Sequence, residues 1–264
     1  MRERLAHVPF RGTIRERSVE PYVRMLQDLR HRRRVKGVLL DISSGGGESI
    51  ASTDLYLAVK RLNEVKPVYA SIGSVGASGA YLAALGARRL FAYPESAVGS
   101  IGVVMPHLAV RELLQKLGIS VELLHAGVHK DAYQGIRPLT DEERQKMQGI
   151  LNEGYEEFVG VVARERHRPV DQIRALATGE VWTGRQALGL GLIDALGDRE
   201  EALGALAEAT GVPVSKTVRL GPPRGLLDRF LNGRGPGFSG GLVGQFHDAV
   251  EDAVLDLGGL GLRR

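Results

Sequence analysis

The chain has 264 residues, of which 43% are hydrophobic and 25% are charged, so that disorder and a fibrous repeat are both excluded. It contains 35 glycines without a Gly-X-Y period, which excludes collagen, and no cysteine, which excludes disulfides, thiolate metal sites and a cysteine nucleophile. The formal net charge of +4 is a small excess, and nucleic acid is therefore not an expected partner.

The chain shows neither a secretory signal nor a clear membrane span. Its first ten residues, MRERLAHVPF, lack the apolar core of a signal peptide. Residues 67–87 are uncharged and long enough to cross a membrane, but their proline, serines and glycines favour a buried strand, a turn and a buried helix. We expect the chain as given to be soluble, either cytoplasmic or membrane-associated as part of an anchored protein.

The first half of the chain is predicted to alternate strands with helices. A basic cluster at residues 30–36 follows a helical pattern, and a solvated helix end is favoured over a contact with anionic lipid or nucleic acid. The next predicted elements are a strand at 38–42, a helix with apolar residues between 50 and 62, a strand at 68–72, a glycine-rich turn at 73–79, a small-residue helix to residue 87, strands at 90–93 and 98–105, a helix at 110–117 and a strand at 121–124.

The second half is predicted to be mainly helical. Thr140 and Glu143 have the spacing of a capping box and should open a long helix that ends near residue 166. Shorter helices follow at 170–178 and 185–190, the latter predicted as the last helix of the compact part. We expect an α/β fold with a largely parallel sheet, a catalytic domain at 1–220, and a Gly/Pro-rich tail or oligomerisation arm at 221–264.

Two glycine-rich loops, at residues 44–47 and 73–79, follow predicted strands, where α/β folds place their functional groups. Neither loop has the sequence of a phosphate-binding loop, which disfavours nucleotide binding. Ser78 lies at a strand-to-helix turn, as in a nucleophile elbow, although Ala80 replaces the second glycine of that motif. If Ser78 attacks a carbonyl, amides of Gly79 and of Gly46 or Gly47 could bind the oxyanion.

A serine nucleophile also needs a base that accepts its proton. The candidates are His107, His125, His129 and Lys130. A lysine can serve if burial lowers the pKa of its amine from about 10.4 towards neutrality.

Taken together, these motifs closely resemble the signal peptide peptidase A family of bacterial serine–lysine proteases. The matching segments are VLLDISSGGG at 38–47, GASGAY at 76–81, GSIGV at 99–103, GVHKD at 127–131, GEVWTGRQAL at 179–188 and GLIDALG at 191–197. The length resembles the short, single-repeat form, in which one subunit supplies both catalytic residues. Gly45 stands where family members usually have proline, and those members usually carry an N-terminal anchor.

The resemblance implies a caseinolytic protease/crotonase-like fold wound from repeated strand–strand–helix units. It implies that Ser78 is the nucleophile, that Lys130 is the general base and that Ser100 orients the lysine amine. It places Gly46, Gly47 and Gly79 at the oxyanion hole. It also implies a homo-oligomeric ring, which needs no cofactor or metal and hydrolyses released signal peptides or other short apolar peptides.

Three alternatives remain open from the sequence. A Ser–His protease of the same fold would use His107 as its base. A catalytically inactive ring scaffold would keep the fold and bind partners, and a crotonase-like enzyme would act on acyl-CoA substrates without a nucleophile.

Overall fold

The computed structural model describes residues 3–222, and this part of the chain divides into two compact units. The sheet unit comprises the described residues up to Ser100 together with those from Glu180 onwards. The helical unit comprises Ile101–Gly179. The predicted tail at 221–264 lies outside the described residues, except for its first two positions.

The sheet unit contains every strand of residues 3–222, joined in one eight-stranded sheet. The strands are β1 (Arg4–Arg11), β2 (Val35–Ser44), β3 (Val68–Ala77), β4 (Arg89–Ala92), β5 (Ala97–Gly99), β6 (Val181–Thr183), β7 (Ala195–Leu196) and β8 (Thr217–Arg219). Their order is β6-β5-β3-β2-β1-β8, while β4 pairs with β3 and β7 pairs with β4. Only the β5–β6 pair is antiparallel. The predicted α/β fold with a largely parallel sheet is confirmed.

Strand β2 is buried at nearly every position and therefore on both faces, which agrees with the predicted apolar run at 38–42, interrupted only by Asp41. Two predicted boundaries in this region are wrong. Residues 73–77, predicted as part of a turn, continue β3, because Val75, Gly76 and Ala77 pair with β5. The strand predicted at 98–105 corresponds to β5, which ends at Gly99. The first segment of the sheet unit ends one residue later, at Ser100.

Five α-helices belong to the described part of the sheet unit. They are α1 (Glu16–His31), α2 (Ser49–Asn63), α3 (Gly79–Ala84), α7 (Gly184–Gly189) and α8 (Arg199–Thr210). The predicted basic cluster begins in the last turn of α1. Helix α8 was not predicted, so the helix at 185–190 is not the last one. Helix α8 covers one sheet face, where Leu206 packs with Leu39, Tyr69 and Phe91.

The helical unit contains α4 (Arg111–Lys116), α5 (Asp141–Glu165) and α6 (Val170–Leu176). The predicted capping box is confirmed: the Glu143 amide donates to Thr140 Oγ1 at 3.3 Å, and the Thr140 amide donates to Glu143 Oε2 at 2.8 Å. The strand predicted at 121–124 is wrong, because these residues are exposed and form no ladder.

The uncharged stretch after Lys66 forms β3 and the short helix α3. Within residues 3–222, no helix combines the length and the apolar character needed to cross a membrane.

A buried carboxylate joins the first two strands of the sheet. Asp41 on β2 is 3% exposed and accepts a hydrogen bond from His7 Nε2 at 2.9 Å. Arg11 donates to the other carboxylate oxygen at 2.8 Å. Burial opposes ionisation, but the hydrogen bonds from His7 and Arg11 outweigh it and hold the pKa of Asp41 below its ordinary value.

We expect Asp41→Asn to lower the free energy of unfolding at pH 7 by about 2 kcal/mol or more, because charge-assisted hydrogen bonds are lost. A lowered carboxyl pKa stabilises the fold above the unfolded-state pKa, and the contribution disappears as the pH falls through the folded-state pKa. The gap between wild type and variant should therefore narrow below about pH 4 in urea unfolding curves. Asp54→Asn, on the exposed side of α2, is the control. A gap that stays constant down to pH 3 would contradict this assignment.

Candidate active site

Ser78 occupies a strained turn at the carboxyl edge of the sheet. It lies between the last residue of β3, Ala77, and the first residue of α3, Gly79. Its backbone has φ 52° and ψ −128°, a conformation that non-glycine residues rarely adopt. Two backbone hydrogen bonds hold it there: the Ser78 amide donates to Gly99 O at 2.7 Å, and its carbonyl accepts from Leu82 at 3.0 Å. The half-buried serine is thus fixed at a helix start.

Ser100 is the residue that follows β5, just as Ser78 is the residue that follows β3. Ala77 on β3 pairs in parallel register with Gly99 on β5, so that Ser78 and Ser100 are the next residues along their strands. Ser100 also has a positive φ, of 50°, and its amide donates to Glu180 O at 2.7 Å. The structure therefore brings these two serines to the same edge of the sheet. That Ser100 orients a lysine amine stays a prediction.

The glycine loop after β2 packs directly against the Ser78 turn. A β-carbon built on Gly46 would lie 2.8 Å from both Gly79 N and Ser78 Cβ, which is closer than real β-carbons come. The loop is anchored on its other side, because the Ile14 amide donates to Gly46 O at 2.9 Å. Only glycine fits at position 46, because its backbone lies this close to the Ser78 turn.

The backbone amides of these glycines differ in their hydrogen bonding. The Gly46 amide donates to Ser44 Oγ at 3.1 Å and is therefore already satisfied. The amides of Gly47 and Gly79 have no acceptor within residues 3–222, and Gly79 stands at the start of α3, where helix amides lack partners. A β-carbon on Gly79 would lie 3.6 Å from Gly47 N, so these two amides are neighbours.

Of the three predicted oxyanion-hole glycines, Gly47 and Gly79 thus have available donors, while Gly46 serves as the close-packed spacer. Sequence analysis missed two serines that shape this site. The Ser44 hydroxyl accepts the hydrogen bond from the Gly46 amide, and the side chain of Ser52 packs against Gly79. Ser52 could have been noticed in the sequence because it is a small residue in the first turn of α2.

Lys130 lies in the helical unit, in a turn where its amide donates to Gly127 O at 3.1 Å. Its side chain is exposed and has no hydrogen bond or ion pair with any residue that the structure describes. Ser78 and Lys130 belong to different units, and their pairing as a dyad stays a prediction.

The histidine candidates also lie in the helical unit. His107 Nε2 is 3.0 Å from the carbonyl oxygen of Arg137. Because a carbonyl only accepts, this nitrogen carries the proton and cannot be the base in that arrangement. His125 Nδ1 contacts Gly127 O at 3.2 Å, and His129 lies beside the carboxylate of Glu143. Among the described residues, no three His, Asp or Glu side chains are grouped so that they could hold a metal ion.

Three relatives of known sequence are similar to this chain over most of its length. A protein of Methanocaldococcus jannaschii is 39% identical over 200 residues, and one of Synechocystis is 31% identical over 234 residues; their names mark both provisionally as proteases. The chloroplastic serine protease SPPA of Arabidopsis thaliana is 33% identical over 202 residues. The matches cover 76%, 88% and 76% of this chain, and the chain spans 64%, 84% and 30% of the three relatives.

A solved structure supports the fold. A ClpP1 variant from Listeria monocytogenes superposes with a TM-score of 0.50 at 14% identity, covering 74% of this chain and 93% of that one. The predicted caseinolytic protease-like fold is therefore confirmed.

The model of peptidase family S49 matches residues 60–213, which include the Ser78 turn, Ser100 and Lys130. This match and the named relatives confirm the resemblance predicted from the motifs, and the chain belongs to peptidase family S49, the family of signal peptide peptidase A.

Proposed function

We propose that this protein is a serine endopeptidase in which Ser78 is the nucleophile, Lys130 is the general base, and the amides of Gly47 and Gly79 form the oxyanion hole. Membership of a peptidase family supports the class of reaction. The observation that carries the proposal is the turn at Ser78, which holds this half-buried serine beside two backbone amides that have no acceptor in the described part of the chain.

In this proposal the Ser78 hydroxyl attacks the carbonyl carbon of the scissile peptide bond, and the neutral Lys130 amine accepts the hydroxyl proton. The resulting oxyanion is stabilised by the two amides, each typically worth about a hundred- to thousandfold in rate. The lysine then passes the proton to the leaving amine. Water, deprotonated by the same amine, hydrolyses the acyl-enzyme and restores Ser78.

The proposed substrates are released signal peptides or other short, extended, apolar peptides, and the proposed assembly is a homo-oligomeric ring. Support comes from the helical unit, which exposes large apolar side chains. Val104, Leu124 and Val128 are 87%, 91% and 82% exposed. Exposed apolar side chains of this size suit contact with an apolar peptide or with another copy of the chain.

The absence of cysteine in the sequence permits a direct test of Lys130. We expect Lys130→Cys to be inactive towards fluorogenic apolar peptides, and alkylation of that single thiol with bromoethylamine to restore turnover to within about tenfold of wild type, because the product carries an amine at the position of the lysine Nζ. The thioether lowers the pKa of the new amine, and the acid limb of the pH–rate profile should move to lower pH.

Two controls accompany this test. Alkylation with iodoacetamide, which adds no amine, should leave Lys130→Cys inactive. Lys116→Cys, on the exposed surface of α4, should be active before and after treatment.

A separate labelling experiment tests the nucleophile. A fluorophosphonate should modify Ser78 in wild type, as located by mass spectrometry. Full activity of unmodified Lys130→Cys, or labelling of a different serine, would overturn the proposed dyad.

A further inference from the structure

Arg137 bridges two carboxylates in the helical unit. Its Nε and Nη2 atoms donate to the two oxygens of Asp131 at 2.8 and 2.9 Å. Its Nη1 and Nη2 atoms also donate to the two oxygens of Glu143, each at 2.9 Å. Both pairs are bidentate, the geometry in which arginine–carboxylate interactions are strongest and most directional. Arg137 therefore joins the turn that contains Asp131 to the start of α5.

Glu143 provides a rigid anchor for this bridge. It is 3% exposed and lies in the first turn of α5, where it completes the capping box with Thr140. The carboxylate thus accepts from the Thr140 amide as well as from Arg137. A buried carboxylate with this many donors, at the start of a 25-residue helix, cannot move without breaking the cap.

The same anchor holds the chain on both sides of Lys130. The residue after Lys130 is Asp131, which pairs with Arg137. The residue before it is His129, whose Nδ1 lies 3.6 Å from Glu143 Oε1. Ala132, next along the turn, is fully buried. The turn is therefore fixed through its neighbours, while the side chain of Lys130 is left without a partner among the residues described.

We propose that Arg137 is the positioning residue for Lys130, fixing the turn at 127–133 on the start of α5 so that the lysine amine is presented in one orientation. This inference rests on the proposed function, since it assigns a role to Arg137 only if Lys130 is the base. A nucleophile–base pair must be held within a fraction of an ångström to act, and a misplacement of about 1 Å costs about a hundredfold in rate.

The charges of this network persist throughout the pH range of a peptidase assay. The hydrogen bonds from Arg137 hold the pKa of Asp131 below its ordinary value, and they lower the pKa of Glu143 strongly. Both carboxylates therefore stay ionised at neutral and alkaline pH. Because replacing Arg137 also removes the donors that lower these pKa values, the separation of kcat from KM and the recovery by Arg137→Lys, rather than the pH–rate profile alone, test the positioning role.

The test compares four variants of the full chain: Arg137→Met, Arg137→Lys, Arg174→Met and Lys130→Ala. Arg174 is a matched control, because it also bridges two carboxylates in the helical unit, those of Glu156 and Asp171. We expect Arg137→Met to lower kcat by about ten- to hundredfold with little change in KM. Arg137→Lys should recover part of the loss, since lysine keeps the charge but not the two-pronged geometry. Arg174→Met should match wild type.

Backbone hydrogen exchange provides a readout that does not depend on catalysis. Residues 127–133 should exchange faster in Arg137→Met than in Arg174→Met. If Lys130→Ala is inactive while Arg137→Met keeps the wild-type kcat and pH profile, the positioning role is overturned and the dyad stands. If Lys130→Ala is fully active, the dyad and the role of Arg137 both fail. An equal loss in Arg137→Met and Arg174→Met would reduce the effect to general destabilisation and would also overturn the inference.

Discussion

Peptide hydrolysis should fall by about a thousandfold or more when Ser78 is replaced by alanine, because the hydroxyl proposed to form the acyl-enzyme is removed. The loss should appear in kcat with the fold intact, as measured with fluorogenic apolar peptides. Ser74→Ala is the control on the same strand. It removes an exposed hydroxyl that lies 2.7 Å from Ser43 Oγ, and it should leave turnover near wild type.

A second inactive variant at this position separates function from stability. Ser78→Gly also removes the hydroxyl, but glycine adopts a φ of 52° without steric cost. We expect Ser78→Gly to be about 1 kcal/mol more stable than Ser78→Ala in urea unfolding, since a non-glycine residue at positive φ stores strain. Equal stability of the two variants would mean that the turn relaxes, and substantial turnover by either would remove Ser78 as the nucleophile.

Gly46→Ala should lower kcat/KM by about a hundredfold or more and destabilise the fold by about 3 kcal/mol. Its β-carbon would meet Gly79 N, Ser78 Cβ and Ala77 O at 2.8, 2.8 and 2.9 Å. These are backbone atoms or atoms fixed to the backbone, so the loop or the serine turn must shift. The shift would separate the Gly47 and Gly79 amides from the attacked carbonyl. Steady-state kinetics and urea unfolding measure the two effects.

Gly12→Ala is the matched control for this crowding. Gly12 also has a positive φ, of 87°, but a β-carbon there would meet nothing within 4 Å. It should therefore lose only about 1 kcal/mol of stability through backbone strain and keep its activity. If Gly46→Ala behaves like Gly12→Ala, backbone strain rather than close packing explains the glycine at position 46.

Local signals account for the elements that the sequence predicted well. The Thr140–Glu143 spacing predicted the start of α5 because a capping box involves only neighbouring residues. The apolar run in β2 predicted a strand that is buried on both faces. Helix α8 carried a comparable signal, a capping box between Asp198 and Glu201, and could have been predicted on the same basis.

Other elements depended on partners that are distant in the sequence. Strand β1 was missed because its polar residues, His7 and Arg11, look exposed until Asp41 on the next strand pairs with them. The glycine-rich segment at 73–77 has low strand propensity, and only pairing with β2 and β5 makes it a strand. In contrast, the apolar residues at 121–124 have no neighbouring strand to pair with among the described residues.

For the site, the sequence by itself determined the family, the fold class and the identity of the candidate groups, because short motifs preserve the chemistry of a nucleophile turn and of glycine-rich loops. The tertiary structure decided which of those groups are available. The Gly46 amide donates to Ser44 Oγ, whereas the Gly47 and Gly79 amides have no acceptor among residues 3–222. Ser44 is only two residues from Gly46, but the conformation of this loop is set by its packing against the Ser78 turn and by the hydrogen bond from the Ile14 amide, and neither contact can be inferred from spacing along the chain.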